Sequence, residues 1–498
     1  MAFAGDPGKI QGLKEVLTWL FTGCLIGLLF LVGIQLLEAK WFSFLFLGVI
    51  SSCFALLPMD RKAIFLMFLV LSIPMGIDKN LFFQYSNFHH SSYGFQISLF
   101  YIPLVALIAI RMGRSWSDPD SVRPISTKGL FALTGIFGAA VVSILLAGNT
   151  LFGAFDLFAF LWSIILFTYL STDPVDRRDL ESIMVTLAFA VAIEGAIALC
   201  QRITDSTLGL EFFGAYTSRE LQSDSYRGLD SMTRAGGTLG HPNNLALFFD
   251  LSIPLTLSLM FTPLGRRTKM MVAAAVGFGL MGLSVTLSRG GLISTSIGCA
   301  ILAIAWLRHR IGLFRAILIF SVMGVFILLI ALRPTGTLYK RFLEDDYQAA
   351  RTRIPLITVA TNMIKDHPLF GVGLNNYNEL ALRYDTSPEW ISAEWNAPVH
   401  NIFLYVAAQI GLIGLLFFLL YLFAVFRALW PALWVNDPFV AWTGRGLAVS
   451  MLSYLIHVQI EFVSFTHSMP FWFSCGLAVG LGRFALELPS KVRPEAST

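Results

Sequence analysis

Two arginines and a histidine stand where an apolar chain turns polar. Arg289 follows Ser288 at the end of a hydrophobic run and precedes two glycines. An arginine at membrane depth costs several kcal/mol unless it is paired or wetted. Its guanidinium is planar, permanently charged and matched to phosphate oxygens, so Arg289 reads as an anion clamp. The alternative is snorkelling to lipid head groups. The glycines would let a ligand approach the backbone closely. Arg234 stands just before a turn rich in glycine that ends in His241-Pro-Asn243. Proline suits a first helical turn, so a helix is expected to start near Pro242 with its N–H groups facing outward, an anion site below Arg234. A purely structural turn is the competing reading, with His241 as a capping or packing residue. His400 begins another apolar run, with Asn401 beside it. A histidine near water titrates near neutrality and can act as a base. Alone it would read as structural; three outward elements bearing arginine and histidine shift the reading toward chemistry.

The second feature is the polar segment 333–399, which carries Arg341, Arg351, Arg353, Arg383 and the turn-rich His367-Pro-Leu-Phe-Gly-Val-Gly373. Long segments without obvious regular structure are uncommon and often functional. This one is expected to be an outward functional element that re-enters the membrane at His400. Glu194, Asp250, His457 and Glu461 lie within or near the ends of apolar runs. Inter-helix hydrogen bonding is the favoured reading; a proton relay in a transporter is the alternative.

These residues need a membrane scaffold to position them. The chain has 498 residues, of which 56% are hydrophobic and 13% charged, with a mean hydropathy of +0.71. Soluble domains carry about a quarter charged residues. An all-α polytopic membrane protein is therefore expected, with about fourteen spans (a range of about 12 to 14). The run cores are 16–37, 41–57, 63–77, 95–110, 129–148, 151–171, 182–201, 243–261, 270–287, 291–307, 314–332, 400–424, 446–460 and 468–482. The short gaps at 38–40 and 288–290 are the places where two runs could fuse or re-enter. With the N-terminus in the cytoplasm, every short basic loop falls inside, as the positive-inside rule asks. The long loops 202–242 and 333–399 then face outward, together with the Leu287–Gly291 turn. The first run is too long for a signal-peptide core and is expected to remain as a span. The aromatic-rich stretch 78–94, with its His89-His90 pair, reads as an interfacial belt, and the tail 489–498 as disordered. Cys24, Cys53, Cys200, Cys299 and Cys475 all lie in apolar runs, so neither disulfides nor cysteine metal sites are expected. The net charge of +4 says little about partners.

Four stretches together resemble a known family. They are Arg234-Ala-Gly-Gly-Thr-Leu-Gly-His-Pro-Asn-Asn-Leu-Ala246, Leu287-Ser-Arg-Gly-Gly291, Arg353 through Asp366-His-Pro-Leu-Phe-Gly-Val-Gly-Leu-Asn-Asn-Tyr377, and His400-Asn-Ile-Phe-Leu404 with Gly411-Leu-Ile-Gly414. In this order, across about residues 230 to 415, they resemble the O-antigen ligase and polymerase superfamily of bacterial envelopes. Two departures stand out: Ile357 occupies a position where the family usually has tryptophan, and the chain shows two spans beyond the usual twelve.

The resemblance implies transfer of a glycan from an undecaprenyl diphosphate carrier to a hydroxyl of an acceptor, a carbohydrate or lipid A-core, on the periplasmic side of the bacterial inner membrane. It implies catalytic roles for His400 as base and for Arg289 and Arg234 on the diphosphate. It also implies substrate contacts at Arg353, Asn243, Gly371, Gly373, Asn375, Tyr377 and Asn401. No cofactor, metal or nucleic-acid partner is expected; the arginines take the place of a metal, and membrane lipids surround the chain. Four regions follow: 1–201 and 202–332 as transmembrane helices, the second with the arginine-bearing turns, 333–399 as the large periplasmic loop, and 400–498 as the last helices and cytoplasmic tail. Ligase-like transfer is favoured over repeat-unit polymerisation, with protein glycosylation a third job for the same chemistry. A lipid-linked sugar flippase or other transporter is the alternative from another class, and a membrane scaffold the next.

Overall fold

The computed structural model describes residues 41, 48, 60–83, 94–173, 176–213, 234–319, 322, 349–388, 390–395 and 397–488. The chain divides into two units, 1–61 and 62–498. The expected spans 16–37 and 41–57 (apart from Trp41 and Gly48), the gap at 38–40, most of the span 314–332, Arg341, the His89-His90 pair and the tail lie outside the described residues.

The elements are helix α1 (Arg61–Ser72), strands β1 (Asp78–Leu81) and β2 (Phe95–Ser98), and helices α2 (Tyr101–Ser117), α3 (Leu130–Leu146), α4 (Thr150–Thr172) and α5 (Arg177–Thr204). They continue as α6 (Pro242–Ser258), α7 (Arg266–Thr286), α8 (Arg289–Ile311), α9 (Ala349–Asp366), α10 (Tyr377–Tyr384), α11 (Ile391–Trp395), α12 (Ile402–Trp434), α13 (Pro438–His457) and α14 (Met469–Glu487). Among the described residues, eight helices are long and apolar enough to cross a membrane: α4 to α8 and α12 to α14. The chain is a polytopic, mainly α-helical membrane protein.

Several helix starts are legible as caps. Asn149, Asp176, Asn401 and Asp437 each accept a hydrogen bond from a first-turn N–H, which satisfies a donor that the helix itself leaves open. The gap at 288–290 does separate two helices. Leu287 takes φ 53° and ends α7, and Ser288 caps α8.

Three expectations change. The run 63–77 ends as a helix at Ser72, and the first four residues of the run 95–110 pair instead with Asp78–Leu81 as an antiparallel hairpin. The expected aromatic belt thus begins as a β-strand, and Phe95 of its partner strand packs edge-on to Phe155 at 5.0 Å. The segment 333–399 is not structureless, because α9, α10 and α11 lie within it. Their low hydropathy hides them from a search for spans, yet α9 buries Val359, Ala360 and Met363 against Tyr377, Val399 and Tyr405.

The last change is a break in α12. Gly411 has φ 74° and ψ 179°, outside helical geometry. The turn His367–Gly373 fills the break. Val372 and Gly373 N–H donate to the Ala408 and Gln409 carbonyls at 2.8 and 3.1 Å, and Leu412 N–H donates to the Pro368 carbonyl at 2.8 Å. A broken helix must satisfy its freed backbone groups inside a membrane protein, and this turn does so. A Cβ at Gly371 or Gly411 would collide with the opposing backbone. At the other end of the helices, Asp173 is buried among Lys62 (3.2 Å), Arg111 (3.2 Å) and Arg114 (3.0 Å). This ties α1 and α2 to the foot of α4.

Candidate active site

The ends of α6, α8, α9, α12 and α13 meet at one end of the helices. The turn before α6 is held from α5. Gln201 exchanges hydrogen bonds with the Gly237 backbone at 2.9 and 3.1 Å, and Glu194 accepts from Thr238 N–H at 3.0 Å. Glu194 is therefore an inter-helix tether. The anchored turn aims Arg234 at two acceptors, the Thr286 carbonyl (2.8 Å) and Asn243 Oδ1 (2.6 Å). His241 caps α6 by accepting from Asn243 N–H at 3.1 Å.

Asn243 continues the chain of contacts. Its Nδ2 donates to Glu461 Oε2 at 2.7 Å, and Glu461 Oε1 lies 3.9 Å from His400 Nε2. His400 Nδ1 lies 3.1 Å from the Pro398 carbonyl. A carbonyl can only accept, so that bond puts the proton on Nδ1 and leaves the Nε2 lone pair facing Glu461. Asn401 caps α12 with its carbonyl, and its amide reaches Gln459 at 3.2 Å. Ile402 N–H donates to the Val458 carbonyl at 3.0 Å. The turn after α13 thus fixes both His400 and Glu461.

Burial lowers the pKa of His400 below its ordinary value; Glu461 pulls it back up, while the charges of Arg353 and His241 press it down. The net direction is down, which favours the neutral imidazole. Burial opposes the charge on Glu461, but His400, His457, His241 and the Asn243 amide outweigh it and hold the carboxyl below its ordinary range. On the neighbouring segment burial also opposes the charge on Asp385. Hydrogen bonds from Ser387 and Ser392 prevail, so this pKa too is lowered and α11 is pinned.

The structure brings together His400, Arg234, Asn243 and Arg353. Arg289 opens α8 directly after Ser288, whose hydroxyl lies 3.4 Å from His457 Nε2. Gly371, Gly373 and Asn375 serve the packing of the helices, and Tyr377 packs with Val399, next to His400 in the chain. The two glycines line the α12 break. Asn375, at φ 58°, donates to the Phe152 carbonyl at 2.9 Å, and Tyr377 packs on Tyr405. Sequence reasoning noticed Glu461, Asp250 and His457 but placed them outside the site. Asn243 lies 218 positions from Glu461 and Asp250 lies 207 from His457, and the local signal is the spacing of 457 and 461 at the mouth of a span.

Residues 274–419 match the family described as O-antigen ligase. No curated protein matches the chain. The match supports an O-antigen ligase-type membrane glycosyltransferase. The matched residues include Arg289, Arg353 and His400, while Arg234, Asn243 and Glu461 lie outside them and complete the cluster from both sides.

Proposed function

We propose that this protein transfers a glycan from undecaprenyl diphosphate to an acceptor hydroxyl at the periplasmic face of the bacterial inner membrane, in surface polysaccharide assembly. The observation that supports this most is the run of contacts Arg234–Asn243–Glu461–His400, which links a cation to an imidazole whose Nε2 is left free by the Pro398 bond at Nδ1.

In the transfer, the acceptor O–H gives its proton to His400 Nε2 as its oxygen attacks the anomeric carbon. The bond from that carbon to the diphosphate oxygen breaks, and the electron pair leaves with the lipid diphosphate. Glu461 stabilises the imidazolium formed, and the bond from Nδ1 to Pro398 keeps the ring oriented. Arg289 and Arg234 meet the charge developing on the diphosphate, with Arg353 adding to the local positive field. A single displacement inverts the anomeric centre. Asn243, which bridges Arg234 and Glu461, couples donor and base, and the segment with α9 to α11 forms the acceptor platform. Ligase-like transfer to a carbohydrate or lipid A-core acceptor is the favoured job; joining of repeat units is the second, with the same donor chemistry.

The test is reconstitution of the purified protein with undecaprenyl-diphosphate oligosaccharide and a panel of acceptors, beside Arg289→Ala. Transfer with loss of donor affinity in the variant supports the reading, and the acceptor that works separates ligase from polymerase. Substrate flux across vesicles with no bond cleavage would instead make the protein a transporter.

A further inference from the structure

Two buried ionisable residues have no part in that transfer scheme. Asp250, on α6, and His457, the last residue of α13, are both almost wholly enclosed. Asp250 Oδ2 lies 2.5 Å from His457 Nδ1. The other carboxylate oxygen accepts from Ser294 (2.5 Å) and Thr295 (2.7 Å), both on α8. Three donors from two other helices therefore saturate one carboxylate. An apolar trio of similar volume would pack these helices at least as well, since buried ion pairs seldom outperform hydrophobic replacements. The pair therefore invites an explanation beyond packing.

The far side of the imidazole supplies one. With Nδ1–H committed to Asp250, Nε2 points at Ser288 Oγ, 3.4 Å away. Ser288 caps α8, and Arg289 is the first residue of that helix. The ring also abuts the first turn with the edge that carries Nε2. A Cβ at Gly290 would stand 2.6 Å from Nε2, and one at Gly291 would stand 3.3 Å from Cε1. Gly290 thus makes room for this histidine, while a Cβ at Gly291 would first meet Ala246, at 2.7 Å. The same carboxylate grips α8 again one turn further on, through Ser294 and Thr295.

We propose that Asp250 and His457 are positioning residues of the donor site, clamping the first turn of α8 so that Arg289 is held toward the diphosphate. This rests on the transfer reading above. The clamp has two contacts that can be separated by substitution. His457→Asn keeps a donor near the position of Nδ1 and loses the reach to Ser288. His457→Gln carries its amide out to the position of Nε2. Gly290→Ala displaces the ring without removing a polar group.

The test measures kcat, donor KM and acceptor KM with undecaprenyl-diphosphate oligosaccharide, and the melting temperature in detergent. Binding of undecaprenyl diphosphate itself is measured by native mass spectrometry. The expected result is a donor KM raised about tenfold in His457→Asn and in Gly290→Ala, the size of one coupled network contact. Acceptor KM stays at the parental value, and His457→Gln recovers most of the loss. Undecaprenyl diphosphate binding weakens in parallel. Parental donor KM in both His457→Asn and Gly290→Ala overturns the proposal. So does an equal fall in every parameter with a lowered melting temperature, which would mark a packing role. If His457→Asn does not fold, Gly290→Ala and Ser288→Ala decide by the same criteria. A parent protein that binds undecaprenyl diphosphate but transfers nothing overturns the transfer reading while the binding comparison still judges the clamp. A parent that binds none overturns both.

Discussion

Replacing Glu461 by glutamine removes one charge and almost no volume. Its amide oxygen still accepts from Asn243 Nδ2, so the link to Arg234 survives. What is lost is the carboxylate 3.9 Å from His400 Nε2. Opposite charges at that distance attract by about 4 kcal/mol at an effective dielectric of about 20, and by about 1 kcal/mol in bulk water. About a quarter of the His400 side chain is exposed, so a value near 2 kcal/mol is reasonable, and kcat should fall about 30-fold. The pH profile carries a second signature. The base works when neutral, and His400 already sits below its ordinary 6.5, with Glu461 among the few influences that raise it. Without that carboxylate the pKa falls further. The acid limb of kcat/KM therefore moves to lower pH while the plateau drops. The assay is transfer from lipid-diphosphate oligosaccharide between about pH 4.5 and 8, a window that brackets the ordinary histidine value. A variant with parental kcat, or an acid limb displaced upward, would refute the role given to Glu461.

Three further outcomes follow from the same geometry. Arg234→Ala loses charged hydrogen bonds to Thr286 and Asn243, and donor KM should rise about 10- to 100-fold with little change in acceptor KM, measured by initial rates. Asn401→Ala removes the cap of α12 at a cost of about 1 kcal/mol, and Asn401→Asp should restore the melting temperature because it keeps the accepting oxygen. Gly411→Ala is expected to destabilise by at least about 2 kcal/mol, read as a lower melting temperature in detergent, because φ is positive there and the Leu369 backbone occupies the space of a Cβ.

Much of the scaffold is legible in the sequence because burial in a bilayer demands long apolar runs and capped ends. Pro242 after His241, and Ser288 between two runs, both announce helix starts that the structure contains. The hairpin at Asp78–Ser98 is not legible. Phe95-Gln-Ile-Ser98 joins an apolar run in hydropathy, and only pairing across the chain makes it a strand. The break at Gly411 is hidden for a similar reason: a glycine in an apolar run reads as helix until the His367–Gly373 turn arrives to take over its carbonyls. The expectation that Gly371, Gly373 and Asn375 contact substrate came from the resemblance alone, whereas the structure shows what they do for the fold. The cluster around His400 was half visible. Arginine and histidine beside glycine turns are conspicuous in a sequence, but Glu461 gains its meaning from Asn243 and His400, and nothing local to it shows those partners.

The most direct test of the account is a single-turnover experiment with the purified protein and its His400→Ala variant, each loaded with undecaprenyl-diphosphate oligosaccharide before acceptor is added. Release of undecaprenyl diphosphate and glycosylation of the acceptor are followed together. The account predicts that both occur at equal rates in the parent, and that the variant binds donor with parental affinity while transfer falls by about 10²- to 10⁴-fold. Parental turnover by the variant would contradict the account.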